Sequence, residues 1–534
     1  MAQNADQSTL TGGGPVILRS AVETGGEVSG LMDTGPSREQ RVYNAVFGCL
    51  VVLQLCPIWF SPYPAMHDYP NHLARAVILH DYGAVAFYQT QYEYEPNWWL
   101  IPNLAMDLLV PLLMTFAGVE VASRLFLSLT VLVFAAGVHL LGTSVNARPH
   151  WSAVVSTFFL YNFFWPMGLL NYLFGLGVFF IALAFWLRSR SEWTWGRYLL
   201  MTLLAASCYV AHLSAFIFLG VAAVCVTGLD VLKTKQVRIQ HLLDFIPLVP
   251  PVVAYLWYTS GIARKDPMQW WDPILIKKAT GLAYPFLSYD AVLDGTLGVT
   301  FVGLMLLSWK YAGSPRLVRE MVVAGGVLFV LYLIAPMSGG VASTYVDRRI
   351  IIPAAVLLVL ALRIDVSRRV ARAVLAGLIV LCAVRAAEVW YYWNRIGTEV
   401  AAQVQMLERM PEEARVYPMF VHDRSMTADW LWDMHFYHTA HYGTIYRHAF
   451  VPTLYAWHAA FPIHLRSPDT GYMPTERETT VDQVNWTPIF TRYDYIWGYN
   501  LSSTFKHFLV SHGDVIVERG PTMLIRITKE SPPG

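Results

Sequence analysis

Between residues 151 and 187 the chain carries no charged side chain. About twenty apolar residues cross a bilayer core as a helix, so this stretch is long enough to cross nearly twice. Similar runs recur along most of the sequence, separated by short basic segments. Lipid offers no partner for a bare backbone N–H or C=O, so runs of this length cross it as helices. Composition agrees. Hydrophobic residues make up 55% of the chain and charged ones 14%, against roughly a quarter charged in an ordinary soluble domain. With 534 residues there is too little polar surface here to cover a water-soluble globule. The fold class is a polytopic α-helical membrane protein.

The net charge of +1 gives no footing for nucleic acid or another polyanionic partner. Cys49, Cys56, Cys208, Cys225 and Cys382 all fall inside apolar runs, so no disulfide framework is expected. Residues 1–40 are rich in Gly, Ser and Thr and read as a disordered cytoplasmic tail. Tyr43 to Phe60 lies too far from the start, and lacks the small-residue cleavage site, to be a removed signal peptide; it is the first span.

Basic clusters mark the cytoplasmic side. They occur at Arg38 and Arg41, at Arg188, Arg190 and Arg197, and at Lys233, Lys235 and Arg238. Others are Lys310, Arg316 and Arg319, then Arg363, Arg368, Arg369 and Arg372. Their parity places spans at 121–141, 151–166 and 169–187, a hairpin over 198–230, and further spans at 244–260, 294–310, 320–336, 349–363 and 372–392. Residues 98–117 are apolar too, but a span there would put the Arg188 cluster outside. They also carry Pro102, Asn103, Asp107 and Pro111, and read as a helix lying against the outer face. The result is about eleven spans in a transmembrane domain over 41–393, a cytoplasmic N-terminus, and an extracytoplasmic domain over 394–534. Cytoplasmic loops are short. The outer segments 61–120 and 261–293 and the C-terminal domain are long, so function is expected at the outer leaflet.

The first outer loop reads SPYPAMHDYPNHLARAVILH. Pro70 restricts Tyr69 to an extended conformation, so a helix should begin at Pro70 with Asp68 just before it. Spacing then puts Asp68, Asn71, His72 and Arg75 on one side, over an apolar stripe of Leu73, Ala76 and Val77. A carboxylate beside an imidazole and a guanidinium suits a general base or a metal ligand. The structural alternative is that Asp68 only caps the helix. In YVDRRIIIP, Asp347, Arg348 and Arg349 lie outside against the charge rule, where arginines either fork onto a phosphate or anchor the interface. Loop 261–293 adds Arg264, Lys265, Trp270, Trp271, Lys277 and Lys278. His212 tops a hairpin, Asn162 and Asn171 flank a turn, and Arg385 and Glu388 should pair with each other.

In the C-terminal domain HFYHTAHYG spaces His435, His438 and His441 by three. Two of these could share a zinc, but no Cys or adjacent acid completes the set. No metal site is assigned, and a divalent metal as cofactor is left open. ARVYPMFV, YDYIWGY and VIVERGPTMLIRI alternate as strands, the last as a hairpin around Gly520 and Pro521, with a helix over Thr398–Met410 before them. A small α/β domain is expected. Walker, GxGxxG, nucleophile-elbow and HExxH motifs are absent from the sequence.

This layout resembles the GT-C superfamily of membrane glycosyltransferases, which includes protein O-mannosyltransferases and bacterial enzymes that glycosylate lipid A. Three segments carry the resemblance: the acidic outer loop, GVEVASRLFLSL with Arg124, and YVDRRIIIP with Arg348 or Arg349 and Pro353. It covers roughly residues 43–392. It departs in having Tyr69 where the mannosyltransferases place a second acid beside the first. The resemblance implies a hexosyltransferase that takes sugar from a polyprenyl-phosphate-linked donor to a glycan, lipid or protein acceptor. Asp68 would be the catalytic base, with His72 and Arg75 beside it. Arg348, Arg349, Lys265 and His212 would hold the lipid phosphate, and attack would invert the anomeric centre. A bacterial inner membrane is the expected location. The competing readings are a transporter or flippase of lipid-linked sugars, and a polymerase or ligase of surface polysaccharide. No internal repeat supports the transporter.

Overall fold

The computed structural model describes residues 37–145, 150–190, 194–262, 266–311, 317–340, 344–364, 366–420, 434–466 and 480–528. Among them seven helices are long and apolar enough to cross a membrane. These are Arg38–Phe60, Val119–Val145, Leu170–Ser189, Leu213–Thr234, Ile239–Ser260, Ala291–Tyr311 and Arg369–Leu407. The other segments expected to span are helical but shorter: Trp195–Ala211, Arg319–Ile334 and Val346–Ala361. The segment expected over 151–166 is broken into helix Trp151–Ser156, a tight turn Thr157–Phe159 and helix Phe164–Met167. Asn162 makes the break. Its amide donates to the Phe159 carbonyl at 2.9 Å while its oxygen accepts the Phe164 N–H at 3.0 Å, replacing the helical bonds lost there.

Packing between spans uses glycine. A Cβ on Gly177 would sit 2.6 Å from the Phe134 nitrogen, and one on Gly137 2.7 Å from the Gly177 carbonyl oxygen. Helices Val119–Val145 and Leu170–Ser189 therefore touch backbone to backbone there, as small residues allow in lipid. Arg124 reaches across to the carbonyls of Trp59, Ser61 and Pro62 at 3.1, 3.1 and 2.9 Å. A cation thus answers the orphan carbonyls at the end of the first helix. Arg385 pairs with Glu388 as expected, at 2.8 Å, and also with Asp294, which fastens the last span to the helix Ala291–Tyr311.

That last helix is one piece of 39 residues, Arg369–Leu407. At about 1.5 Å per residue it is about 58 Å long, roughly twice a bilayer core of about 30 Å. It passes without interruption through 393 and 394 and carries the C-terminal region on its far end.

The strands, in chain order, are β1 Tyr92–Tyr94, β2 Asp266–Gln269, β3 Ser338–Gly340, β4 Val416–Phe420, β5 Ile463–Leu465, β6 Tyr495–Tyr499, β7 Gly513–Arg519 and β8 Thr522–Ile527. A four-stranded sheet runs β4-β6-β8-β7, with β4 and β6 parallel and the rest antiparallel. The β7–β8 hairpin turns at Gly520, whose φ of +57° suits glycine. The other two pairings join distant loops. β1 of the first loop pairs with β5, Tyr92 opposite Leu465. β2 of the second long loop pairs with β3, Asp266 opposite Gly340.

The apolar stretch 98–117 yields only a ten-residue helix, Ala105–Met114. It is held by a buried ion pair. Arg75 Nε and Nη2 donate to the two oxygens of Asp107 at 2.6 and 2.9 Å, with both side chains out of solvent.

Two outcomes follow from this packing. Gly177→Ala should force the two helices apart and cost about 1–3 kcal/mol, read as a lowered melting temperature in detergent. Asp107→Ala, which strands the Arg75 charge, should cost about 3–5 kcal/mol. The double change Arg75→Met with Asp107→Leu should cost less than that single one, measured in the same unfolding cycle.

Candidate active site

The loop residues before the second helix lie on a backbone platform. His67 and Asp68 donate their N–H groups to the carbonyls of Pro166 and Met167 at 2.8 and 3.1 Å. The platform ends at Gly168, where φ is +78° and a Cβ would stand 2.9 Å from the nitrogens of Asp68 and Tyr69. The helix then runs Tyr69–Asp81, opening one residue earlier than Pro70 suggests, because proline is equally at home one position further into the first turn.

Asp68 does not cap this helix with its side chain. Its Oδ1 accepts the Tyr455 hydroxyl at 2.8 Å and lies 3.4 Å from His67 Nε2 and 3.6 Å from His438 Nε2. Tyr455 is itself held by its backbone N–H on the Asn71 oxygen at 2.8 Å, and its hydroxyl is 3.2 Å from His438 Nε2. The Asn71 amide also contacts His438 Nδ1, His441 Nε2 and the Thr453 carbonyl, at 3.3, 3.2 and 2.8 Å. His441 closes the set on Thr453 Oγ1 at 3.1 Å. His435 stands apart from it, stacked on Tyr289.

Burial raises the Asp68 carboxyl above its ordinary range, opposed by His67, the Tyr455 hydrogen bond, Arg349 and Arg75. Burial drives His438 and His72 well below the usual imidazole range, assisted for His438 by the neighbouring histidines and for His72 by Arg75. Both rings are therefore neutral near pH 7, so neither supplies the cation that would hold Asp68 as a weak, low-pKa carboxylate. Arg75 is spent on Asp107, on the Tyr455 carbonyl at 3.1 Å and on His72 Nδ1 at 3.0 Å. It positions the Tyr455 loop and presents no free fork to a ligand.

Facing this cluster is the start of helix Val346–Ala361. Asp347 takes the Lys278 ammonium at 2.7 Å and the Trp271 indole N–H at 2.9 Å, and Lys278 also donates to the carbonyls of Tyr332 and Ala335. Arg348 is clasped between Trp271 and Tyr284, 4.7 and 4.4 Å from the ring centres, and gives one N–H to the Lys277 carbonyl. Its Nε and Nη1 and the Nε of Arg349 are buried with no hydrogen-bond partner among the described residues; Arg348 Nε lies 3.7 Å from Asp347 Oδ2, within ion-pair range. Arg349 Nη1 stands 3.4 Å from His212 Nε2. His212 Nδ1 accepts the Ser214 N–H at 3.1 Å, so in the neutral ring Nε2 carries the proton and two N–H groups face each other. Tyr345 links the two halves: burial raises its hydroxyl first, then Asp68 raises it and Arg348 lowers it. Lys265 and Arg264 lie outside the described residues.

The structure thus gathers Asp68, His72, Arg75, Arg348, Arg349 and His212, and adds His67, His438, Asn71, Tyr345 and Tyr455. His67, Asp68 and His438 each offer one ligand atom within 4.8 Å of the others, a donor set that could hold a divalent metal. The acid that the histidine repeat lacked locally comes from the first loop. His67 and Tyr455 carry no sequence signal beyond lying in segments rich in aromatic and titratable residues.

No family model matches the chain, and no curated protein matches it. Among solved structures it is similar to ArnT from Cupriavidus metallidurans bound to undecaprenyl phosphate. Identity is 12%, over 92% of this chain and 99% of that one, with a TM-score of 0.48, a likeness too loose to place any residue.

Proposed function

We propose that the chain is a GT-C-type membrane glycosyltransferase that moves a hexosyl group from a polyprenyl-phosphate donor to an acceptor. The observation that carries this reading is the set of buried arginine N–H groups without acceptors, set within charge range of a buried carboxyl. An unanswered buried donor costs about 1–3 kcal/mol, more when it is charged. Three such atoms on Arg348 and Arg349, with the opposed N–H pair at His212, call for an oxyanion with several acceptor oxygens. The phosphate of a lipid-linked sugar supplies one.

In this reading Asp68 accepts the proton of the acceptor hydroxyl as its oxygen bonds to the anomeric carbon. The bond from that carbon to the phosphate oxygen breaks, and its electron pair leaves with the polyprenyl phosphate. Arg348, Arg349 and His212 offset the developing charge. Tyr455 fixes the carboxylate, and the neutral His72 and His438 leave it basic. A single displacement inverts the anomeric centre. The domains are a tail over 1–40, the membrane domain 41–393 and an extracytoplasmic domain 394–534, in a bacterial inner membrane with the N-terminus cytoplasmic.

Asp68→Asn should lower sugar transfer in proteoliposomes about 10²–10⁴-fold. Its stability should hold or rise. A carboxyl whose folded pKa is raised favours folding when protonated, and that contribution fades as pH climbs through the raised value; Asn stays neutral throughout. For the same reason kcat/KM should fall on acidification through a value above the usual carboxylate range. Full activity in Asp68→Asn, or an acid limb at the ordinary aspartate position, would remove the base assignment. Arg349→Gln should lower kcat and kcat/KM together by about 10²–10³-fold, since its charge is needed most as the phosphate departs. A rise in KM alone would instead assign Arg349 to ground-state binding.

A further inference from the structure

A second cluster of ligand-type side chains lies where the first outer loop meets the C-terminal region. Glu95, just after β1, donates its N–H to the Pro462 carbonyl at 2.9 Å, which extends the β1–β5 pairing. Its Oε2 is 3.3 Å from His458 Nδ1 and 3.1 Å from His464 Nδ1. The three ligand atoms all fall within 4.8 Å of one another, and none belongs to the Asp68 cluster. Zinc bonds to nitrogen and oxygen run close to 2.1 Å, so the edges of a tetrahedral site are about 3.4 Å long. The two edges from Glu95 come close to this, while the His458 and His464 ring centres stand 3.6 Å apart, so the exposed His458 ring has to turn for both lone pairs to meet one ion.

The hydrogen bonds around His464 give an independent reason. Its Nε2 lies 2.7 Å from Glu93 Oε1, and a carboxylate only accepts, so Nε2 carries a proton. In the neutral ring Nδ1 then holds a lone pair. That nitrogen is buried, makes no hydrogen bond, and faces the Glu95 carboxylate. Two acceptors opposed at 3.1 Å repel unless a cation lies between them. A second proton on the ring would supply that cation as an imidazolium paired with Glu93 and Glu95, and a metal ion on Nδ1 supplies it as a ligand bond, so metal content tells the two apart. Glu93 behind His464 is the arrangement that sets the tautomer of a metal-bound imidazole. The His458 side chain is 66% exposed, which leaves a fourth position open to water.

We infer that Glu95, His458 and His464 form a zinc-binding site that staples the first outer loop to the C-terminal region. One ligand comes from the loop and two from the segment that follows Tyr455, so the metal fixes the far end of the stretch that presents Tyr455 to Asp68. The inference does not depend on the transferase reading.

The test uses the full chain in detergent, stripped with a chelator and titrated with Zn(II), with bound metal counted after desalting. Wild type should bind one equivalent more than His458→Ala or Glu95→Gln, while His67→Ala keeps that equivalent. His458 is largely exposed, so its replacement leaves the fold intact, checked by gel filtration. Glu93→Gln, which removes the outer carboxylate from His464 and from Arg466 but no metal ligand, should weaken zinc about 10- to 100-fold without abolishing it. Co(II) should give the visible bands of a four-coordinate site in wild type and not in His458→Ala. Equal zinc content in wild type, His458→Ala and Glu95→Gln would overturn the inference and leave an ordinary ion pair.

Discussion

A guanidinium removed from water has to be answered group by group, and Arg75 is answered by four groups from three parts of the chain. It takes Asp107 from the short apolar helix, the Tyr455 carbonyl from the C-terminal region, His72 from its own helix, and the face of Phe461 at 4.5 Å. Without it the helix Tyr69–Asp81, the helix Ala105–Met114 and the 453–461 segment would have no common anchor. The site is assembled on that anchor: Asn71, one turn before Arg75, holds Tyr455, and Tyr455 holds Asp68. Positioning in this protein flows from a buried charge outward to a reactive one.

How far the sequence could be read depended on the range of the interaction. The apolar runs depend only on local composition, and each segment expected to span is helical over most of its length except 151–166, which is broken. Their lengths were less legible, since the Asn162 side chain takes the Phe159 and Leu160 carbonyls and the Phe164 N–H in place of helical bonds. Helical spacing put Asp68, Asn71, His72 and Arg75 on one face, but nothing in the spacing told a solvated arginine from one paired with Asp107. The histidine repeat was visible as well, and its reading stopped at the lack of a nearby acid. The acid that meets His438 is Asp68, brought from near the start of the chain by contacts no local pattern encodes. The β1–β5 and β2–β3 pairings were hidden for the same reason, each being three or four residues long.

Under the proposed transferase reading, the two charged benches answer opposite demands. A general base has to be reluctant to ionise, and burial does this for Asp68 while the nearest rings, His72 and His438, stay neutral. A charge-stabilising group has to stay ionised, and guanidinium is the side chain that does so most stubbornly. Arg348 lies buried between two aromatic faces beside Asp347, a carboxylate it shares with Lys278. With one bench raised in pKa and the other held cationic, a proton can move to Asp68 while negative charge gathers opposite it. A fully solvated Asp68 would be a weaker base, and an Arg348 whose N–H groups were all hydrogen-bonded would have no donors left for a phosphate. In the proposed reading, the N–H groups of Arg348 and Arg349 left without acceptors among the described residues are the cost of a site arranged for an anion that arrives with its substrate.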